Sequence, residues 1–196
     1  MANTTSSIDA VVIGASAGGV EALLHVLGAL PADFQAAVLV VMHLAPDRPS
    51  IMPRLLAQRC AMSVKEADDK EEIRAGTVYL AVPDYHLLVE PEKRLALSRD
   101  EPVHYSRPSI DVLFESAAYA YCSRLLAIVL TGASNDGADG LRAVRAAGGA
   151  AWVQDPSEAT VDIMPAAALA QAGADRVLTL SEIAAGLAAI ATQQER

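Results

Sequence analysis

Short apolar runs recur along this chain, and most are followed by a longer stretch with one apolar stripe. Strand-like runs cover residues 10–13, 37–42, 62–66, 125–131, 150–153 and 176–179. They are continuous rather than alternating, as strands buried on both faces are. Helical patterns fill 18–30, 49–59, 110–122, 137–147, 165–172 and 181–192. In the first of these Val20, Leu23, Leu24 and Leu27 recur at i, i+3, i+4 and i+7. Pro165 suits a first helical turn and Gly173 a helix end. Alternation of this kind predicts an α/β fold of three layers, doubly wound around a mostly parallel sheet. One region departs from the rhythm. Runs 77–82, 86–90 and 95–98 are short and punctuated by Pro83-Asp84 and Pro91-Glu92. They predict an antiparallel β-hairpin near one edge of the sheet. The charge-dense stretch 66–74 before it reads as a solvated loop or edge.

Composition narrows the picture. A chain of 196 residues with no repeat or linker fits a single domain spanning 1–196. Hydrophobic residues make up 53% and aromatics only 4%, so the core is aliphatic. The net charge of −9 argues against attraction to nucleic acid or to an anionic membrane surface. Cys60 and Cys122 show no metal-type spacing and read as buried free thiols of a reducing compartment. Residues 1–9 lack the features of a secretory leader, and no apolar run approaches about 18 residues. The expectation is a cytoplasmic protein without membrane insertion.

The first candidate chemistry lies just past the first strand. Gly14-Ala15-Ser16-Ala17-Gly18 fits G-x-S-x-G, in which a serine is held exposed on a sharp strand-to-helix turn. A dinucleotide loop would place glycine where Ser16 stands, and a phosphate loop would need Gly-Lys-Ser/Thr where Gly19-Val20-Glu21 stands. An ordinary tight turn would look similar, so the motif needs partners. Of four histidines, His25 lies off the apolar stripe of its helix, His86 begins a hairpin run and His104 sits in an irregular segment. His43 closes the second strand. Asp136 follows the strand 125–131 inside Asn135-Asp136-Gly137, which is also plain turn chemistry. Open α/β sheets build sites outside the carboxyl ends of their strands, and Ser16, His43 and Asp136 each fall at such an end. Their order along the chain matches none of the common serine-hydrolase orders.

With these residues assembled, the chain resembles the catalytic domain of the chemotaxis protein-glutamate methylesterases, the CheB family, from Val11 to about Ile190. The resemblance rests on Ile-Gly-Ala-Ser-Ala-Gly-Gly at 13–19, His43, Gly76-Thr-Val-Tyr-Leu-Ala-Val-Pro83 with Asp84-Tyr85-His86, and Arg107-Pro-Ser-Ile-Asp111. It extends through Thr131-Gly-Ala-Ser-Asn-Asp-Gly-Ala-Asp-Gly140 and Gln154-Asp155-Pro156 to Met164-Pro165. It implies Ser16 as nucleophile, His43 as base and Asp136 as orienting acid. The reaction implied is hydrolysis of glutamate γ-methyl esters on a chemoreceptor-like helical protein, with glutamine deamidation by the same machinery. The N–H of Ala17 and one near Ala133 would hold the oxyanion. Where the family often has threonine after the serine this chain has Ala17, and where chemotaxis enzymes carry methionine it has Ala133. No metal or cofactor is implied. About nine residues precede the first strand, so an N-terminal receiver domain is not expected. A serine esterase with another substrate and a non-catalytic docking module are the alternative readings. An acidic receptor must meet an acidic enzyme through local positive charge, and Arg48, Arg54 and Arg107 are the candidates. A monomer is expected.

Overall fold

The computed structural model describes residues 7–43 and 51–193. Seven parallel strands form the central sheet: β1 (Ala10–Ala15), β2 (Ala37–Met42), β3 (Ser63–Glu66), β4 (Thr77–Leu80), β7 (Leu125–Val129), β8 (Ala150–Gln154) and β9 (Arg176–Leu178). Their spatial order is β3-β4-β2-β1-β7-β8-β9. A separate two-stranded antiparallel sheet pairs β5 (His86–Val89) with β6 (Leu95–Ser98). The helices are α1 (Gly19–Leu27), α2 (Met52–Ala57), α3 (Ile110–Tyr121), α4 (Ala138–Ala146), α5 (Ile163–Gln171) and α6 (Leu180–Gln193).

Burial on both faces explains the continuous apolar runs. Val11, Ile13, Val38, Val40, Leu126 and Ile128 pack against α1, α2 and α6. Val12, Leu39, Val41 and Val129 pack on the other side against α3, α4, α5 and the hairpin. The predicted doubly wound, three-layer architecture is therefore observed. From β1 the chain moves to β2 on one flank, and β7 later adds to the other, so the strand order reverses at β1. Sites form at such switch points.

Three expectations need correction. The run at 77–82 is not part of the hairpin, because β4 lies between β3 and β2 as a parallel strand of the main sheet. Val78-Tyr79-Leu80 is buried, which suits a central position. The charged stretch 66–74 is bonded to the hairpin rather than simply solvated. Lys70 N–H donates to Leu95 O, Leu95 N–H to Glu71 O, and Leu97 N–H to Asp69 Oδ1. Cys122 is exposed, not buried; Cys60 is half-buried, and its thiol donates to Leu27 O at 3.0 Å. Both cysteines are free.

One contact between helices governs the geometry that follows. α3 and α4 meet near their N-termini at Gly140, where a Cβ would lie 2.6 Å from Phe114 Cβ and 2.9 Å from Asp111 Cα. Glycine there lets the two backbones approach each other.

Candidate active site

Ser16 follows β1 directly, and the turn after it is closed by Gly19 N–H donating to Ser16 O at 2.8 Å. Gly18 adopts φ 78°, a left-handed conformation that glycine takes without strain, and α1 starts at the next residue. The strand-turn-helix elbow read from the sequence is thus present. On one side Ser16 N–H donates to Thr131 O at 3.0 Å. On the other, Ala15 pairs with Met42 in register, and His43 N–H donates to Ala15 O at 3.1 Å. Ser16 and His43 therefore leave adjacent parallel strands at the same level, one strand spacing apart. Among the described residues no hydrogen bond joins Ser16 Oγ to the imidazole.

His43 and Asp136 are joined, with Nε2 and Oδ2 2.9 Å apart. Asp136 is fully buried, and the His43 side chain is 15% exposed. The aspartate accepts three further hydrogen bonds. Ile110 N–H donates to Oδ2 at 2.7 Å, Asp111 N–H to Oδ1 at 2.9 Å, and Ser109 Oγ to Oδ1 at 2.9 Å. These donors belong to the N-terminus of α3, where unpaired N–H groups and the helix dipole favour an anion. Burial opposes the charge on Asp136, but the bonds from His43 and from the Asp111 and Ile110 N–H groups outweigh it and lower the pKa below its ordinary value. An ionised Asp136 fixes the proton of His43 on Nε2 and leaves Nδ1 as the basic nitrogen. The more familiar serine-hydrolase arrangement uses the two ring nitrogens the other way round.

The anchoring is reciprocal. While Asp136, just before α4, receives the N-terminus of α3, Asp111 in the first turn of α3 receives the N-terminus of α4. Its Oδ1 accepts from Gly137 N–H at 2.9 Å and Gly140 N–H at 2.6 Å. Ser109 caps α3 and is held in turn by His86, whose Nδ1 accepts its N–H at 3.2 Å. The buried His86 also places Nε2 3.1 Å from Glu101 O. His86 thus meets the backbone through both ring nitrogens. Sequence reasoning did not identify Ser109 and Asp111 as support for the site. The signal was Arg-Pro-Ser-Ile-Asp, a cap and first turn with an acid.

The remaining expected residues vary in setting. Among the described residues, the N–H groups of Ala17 and Ala133 meet no acceptor, and both residues are exposed. Gly132 brings their two loops together, since a Cβ there would fall 2.9 Å from Ser16 Cβ. Thr131 Oγ1 ties the same loops by donating to Ala17 O at 2.8 Å. Beside His43 opens a cleft of about 230 Å³ whose wall includes Asp84, Tyr105 and Arg107. Arg107 is not a free cation there. Its Nε and Nη2 donate to Asp84 Oδ1, and Nη1 donates to Arg99 O and Asp100 O. Arg54 is exposed on α2 with no carboxylate paired to it among the described residues. Arg48 lies outside the described residues. Among the described residues no helix is long and apolar enough to cross a membrane.

The chain is similar to known proteins in both sequence and fold. Residues 11–187 match the family described as CheB methylesterase. A Leptospira interrogans protein named putative protein-glutamate methylesterase/protein-glutamine glutaminase is 44% identical over 176 residues, covering 90% of this chain and 91% of that protein. A Symbiobacterium thermophilum protein-glutamate methylesterase/protein-glutamine glutaminase is 41% identical over 89% of this chain, which spans 48% of its length. The crystal structure of the Thermotoga maritima CheB methylesterase catalytic domain superposes with a TM-score of 0.89 at 33% identity, covering 94% of this chain and 99% of that one.

Proposed function

Because the chain belongs to the CheB methylesterase family, we propose that it hydrolyses glutamate γ-methyl esters on a methylated, chemoreceptor-like helical protein and deamidates glutamines at such positions. The observation that carries this reading is the buried Asp136 holding His43 by Nε2 beside the Ser16 elbow. Ser16 Oγ attacks the ester carbonyl as His43 Nδ1 takes its proton. Asp136 stabilises the resulting imidazolium. The carbonyl oxygen, now negative, is received by the N–H groups of Ala17 and Ala133. Collapse of the tetrahedral intermediate breaks the bond to methoxide, which leaves as methanol with the proton from His43. Water then attacks the glutamyl-Ser16 ester with His43 again as base, releasing glutamate and restoring the hydroxyl. With glutamine the leaving group is ammonia.

The chain works on this reading as one catalytic domain and a monomer, without a cofactor in the reaction and without nucleic acid as partner. Docking of an acidic helical substrate falls to Arg54 on α2 and to Arg48, earlier in the chain. Arg107 acts at the cleft wall, where its pairing with Asp84 leaves it little net charge to offer. The test is methanol release from a methylated receptor bundle by the parent chain and by Ser16→Ala. Release by the parent alone supports the reading. A parent that releases none, or a Ser16→Ala variant that matches it, overturns it.

A further inference from the structure

We propose that His104, Asp111 and Asp139 form a binding site for a divalent metal ion of the zinc type, beside the hydrolytic centre and separate from its chemistry. The three residues come from three segments: the turn before α3, the first turn of α3 and the first turn of α4. One ligand atom of each lies within 4.8 Å of the others. That spacing can close around a single ion with small side-chain adjustment.

The pointer to a ligand is Asp111 Oδ2. The Asp111 side chain is 5% exposed, and Oδ1 is used by the Gly137 and Gly140 N–H groups. Oδ2 has no hydrogen-bond partner, alone among buried side-chain oxygens and nitrogens of the described residues. It faces His104 Nε2 at 3.5 Å, beyond an ordinary hydrogen bond. Buried carboxylate oxygens are rarely left in this state. Burial, with the nearby Asp136 and Asp139 charges, pushes the Asp111 carboxyl up to about 7. A cation at Oδ2 would remove that penalty.

Local charge has terms on both sides. Arg142 Nη2 pairs with Asp139 Oδ1 at 2.8 Å, and two helix N-termini point into the region, all unfavourable to a cation. Against them stand three carboxylates, Asp111, Asp136 and Asp139. His104 and Asp139 are 39% and 41% exposed at their side chains, so water can reach the ion and complete its shell. One imidazole nitrogen with two carboxylate oxygens suits Zn²⁺ better than Mg²⁺, which prefers oxygen ligands alone.

Calorimetric titration of the full chain with Zn²⁺ tests this. One saturable equivalent should bind. Its affinity should fall by at least about tenfold in His104→Ala and in Asp139→Ala, both outside the hydrophobic core. Asp111→Asn keeps an oxygen for Gly137 and Gly140 and should weaken binding likewise. Affinity should be unchanged in Cys122→Ser and His43→Ala, which remove the competing thiol and the active-site imidazole. X-ray absorption of the zinc complex should show nitrogen and oxygen at about 2.0–2.2 Å and no sulfur. Absence of saturable binding to the parent overturns the proposal. So does binding that persists in His104→Ala and Asp139→Ala, or that disappears in Cys122→Ser or His43→Ala.

Discussion

Asp136→Asn separates the two tasks that one carboxylate performs. The parent side chain accepts from four donors, two at each oxygen. An asparagine offers one carbonyl oxygen and one NH₂ group, so one pair of donors always faces another donor. If the amide oxygen stays at the Oδ1 position, Ser109 and Asp111 remain satisfied. The NH₂ then confronts Ile110 N–H, and His43 can adapt only by carrying its proton on Nδ1. If the amide is reversed, Ile110 and His43 are satisfied and Asp111 N–H is orphaned. Either way one buried backbone donor loses its acceptor, a cost of about 1–3 kcal/mol. Loss of the negative charge at the α3 N-terminus adds about 0.3–2 kcal/mol. Urea unfolding should therefore show a loss of about 1–5 kcal/mol. In the first arrangement the nitrogen facing Ser16 can no longer accept a proton, and kcat should drop on the order of 10⁴-fold, as when a triad histidine is held in the wrong tautomer. Parent-like stability together with kcat within tenfold of the parent would refute both the cradle and the base assignment.

Three further outcomes are expected. Ser16→Ala should keep the parent's unfolding midpoint while kcat falls about 10⁴–10⁶-fold, and adding His43→Ala should cost little more, because the two act as a unit; steady-state methanol release measures both. Gly140→Ala should lose about 1–3 kcal/mol in urea unfolding, because the backbone of Asp111 at 2.9 Å cannot yield, and kcat should fall with the displaced α3 N-terminus. With chelator present, Asp111 should make stability fall as pH rises. Burial pushes its carboxyl up to about 7, so between about pH 4 and pH 7 the folded chain keeps a proton that the unfolded chain has released. Asp111→Asn should flatten that slope in urea titrations across the window.

What could be read from the sequence and what could not divide along a physical line. Ser16, His43 and the loop of Asp136 each follow a strand buried on both faces, and such strands announce themselves as apolar runs wherever they occur. Parallel β-α units then bring their carboxyl ends to one edge whatever the details of packing, so candidates could be chosen by position alone. The hairpin shows the limit of the same signal: Thr77–Leu80 and His86–Val89 are both four-residue apolar runs between turns, yet one is central and the other is not even in the sheet. What distinguishes them is their partner strand, which no local pattern encodes. The support of Asp136 was hidden for a similar reason. Asp111 in a first helical turn satisfies the preference of any helix for an acid there, so its spacing carries no hint that its bonds go to a second helix. Those bonds exist because Gly140 lets α4 approach within reach, and Gly140 in isolation reads only as a poor helix residue. Arg107 was misleading in the complementary way. Its charge is visible in the chain, while Asp84, which neutralises it, lies across a fold-dependent gap. Strand ends are thus set by local hydrophobicity and can be found locally. The electrostatics of the site are set by which backbone elements touch, so they emerge only once two helix N-termini are seen exchanging carboxylates.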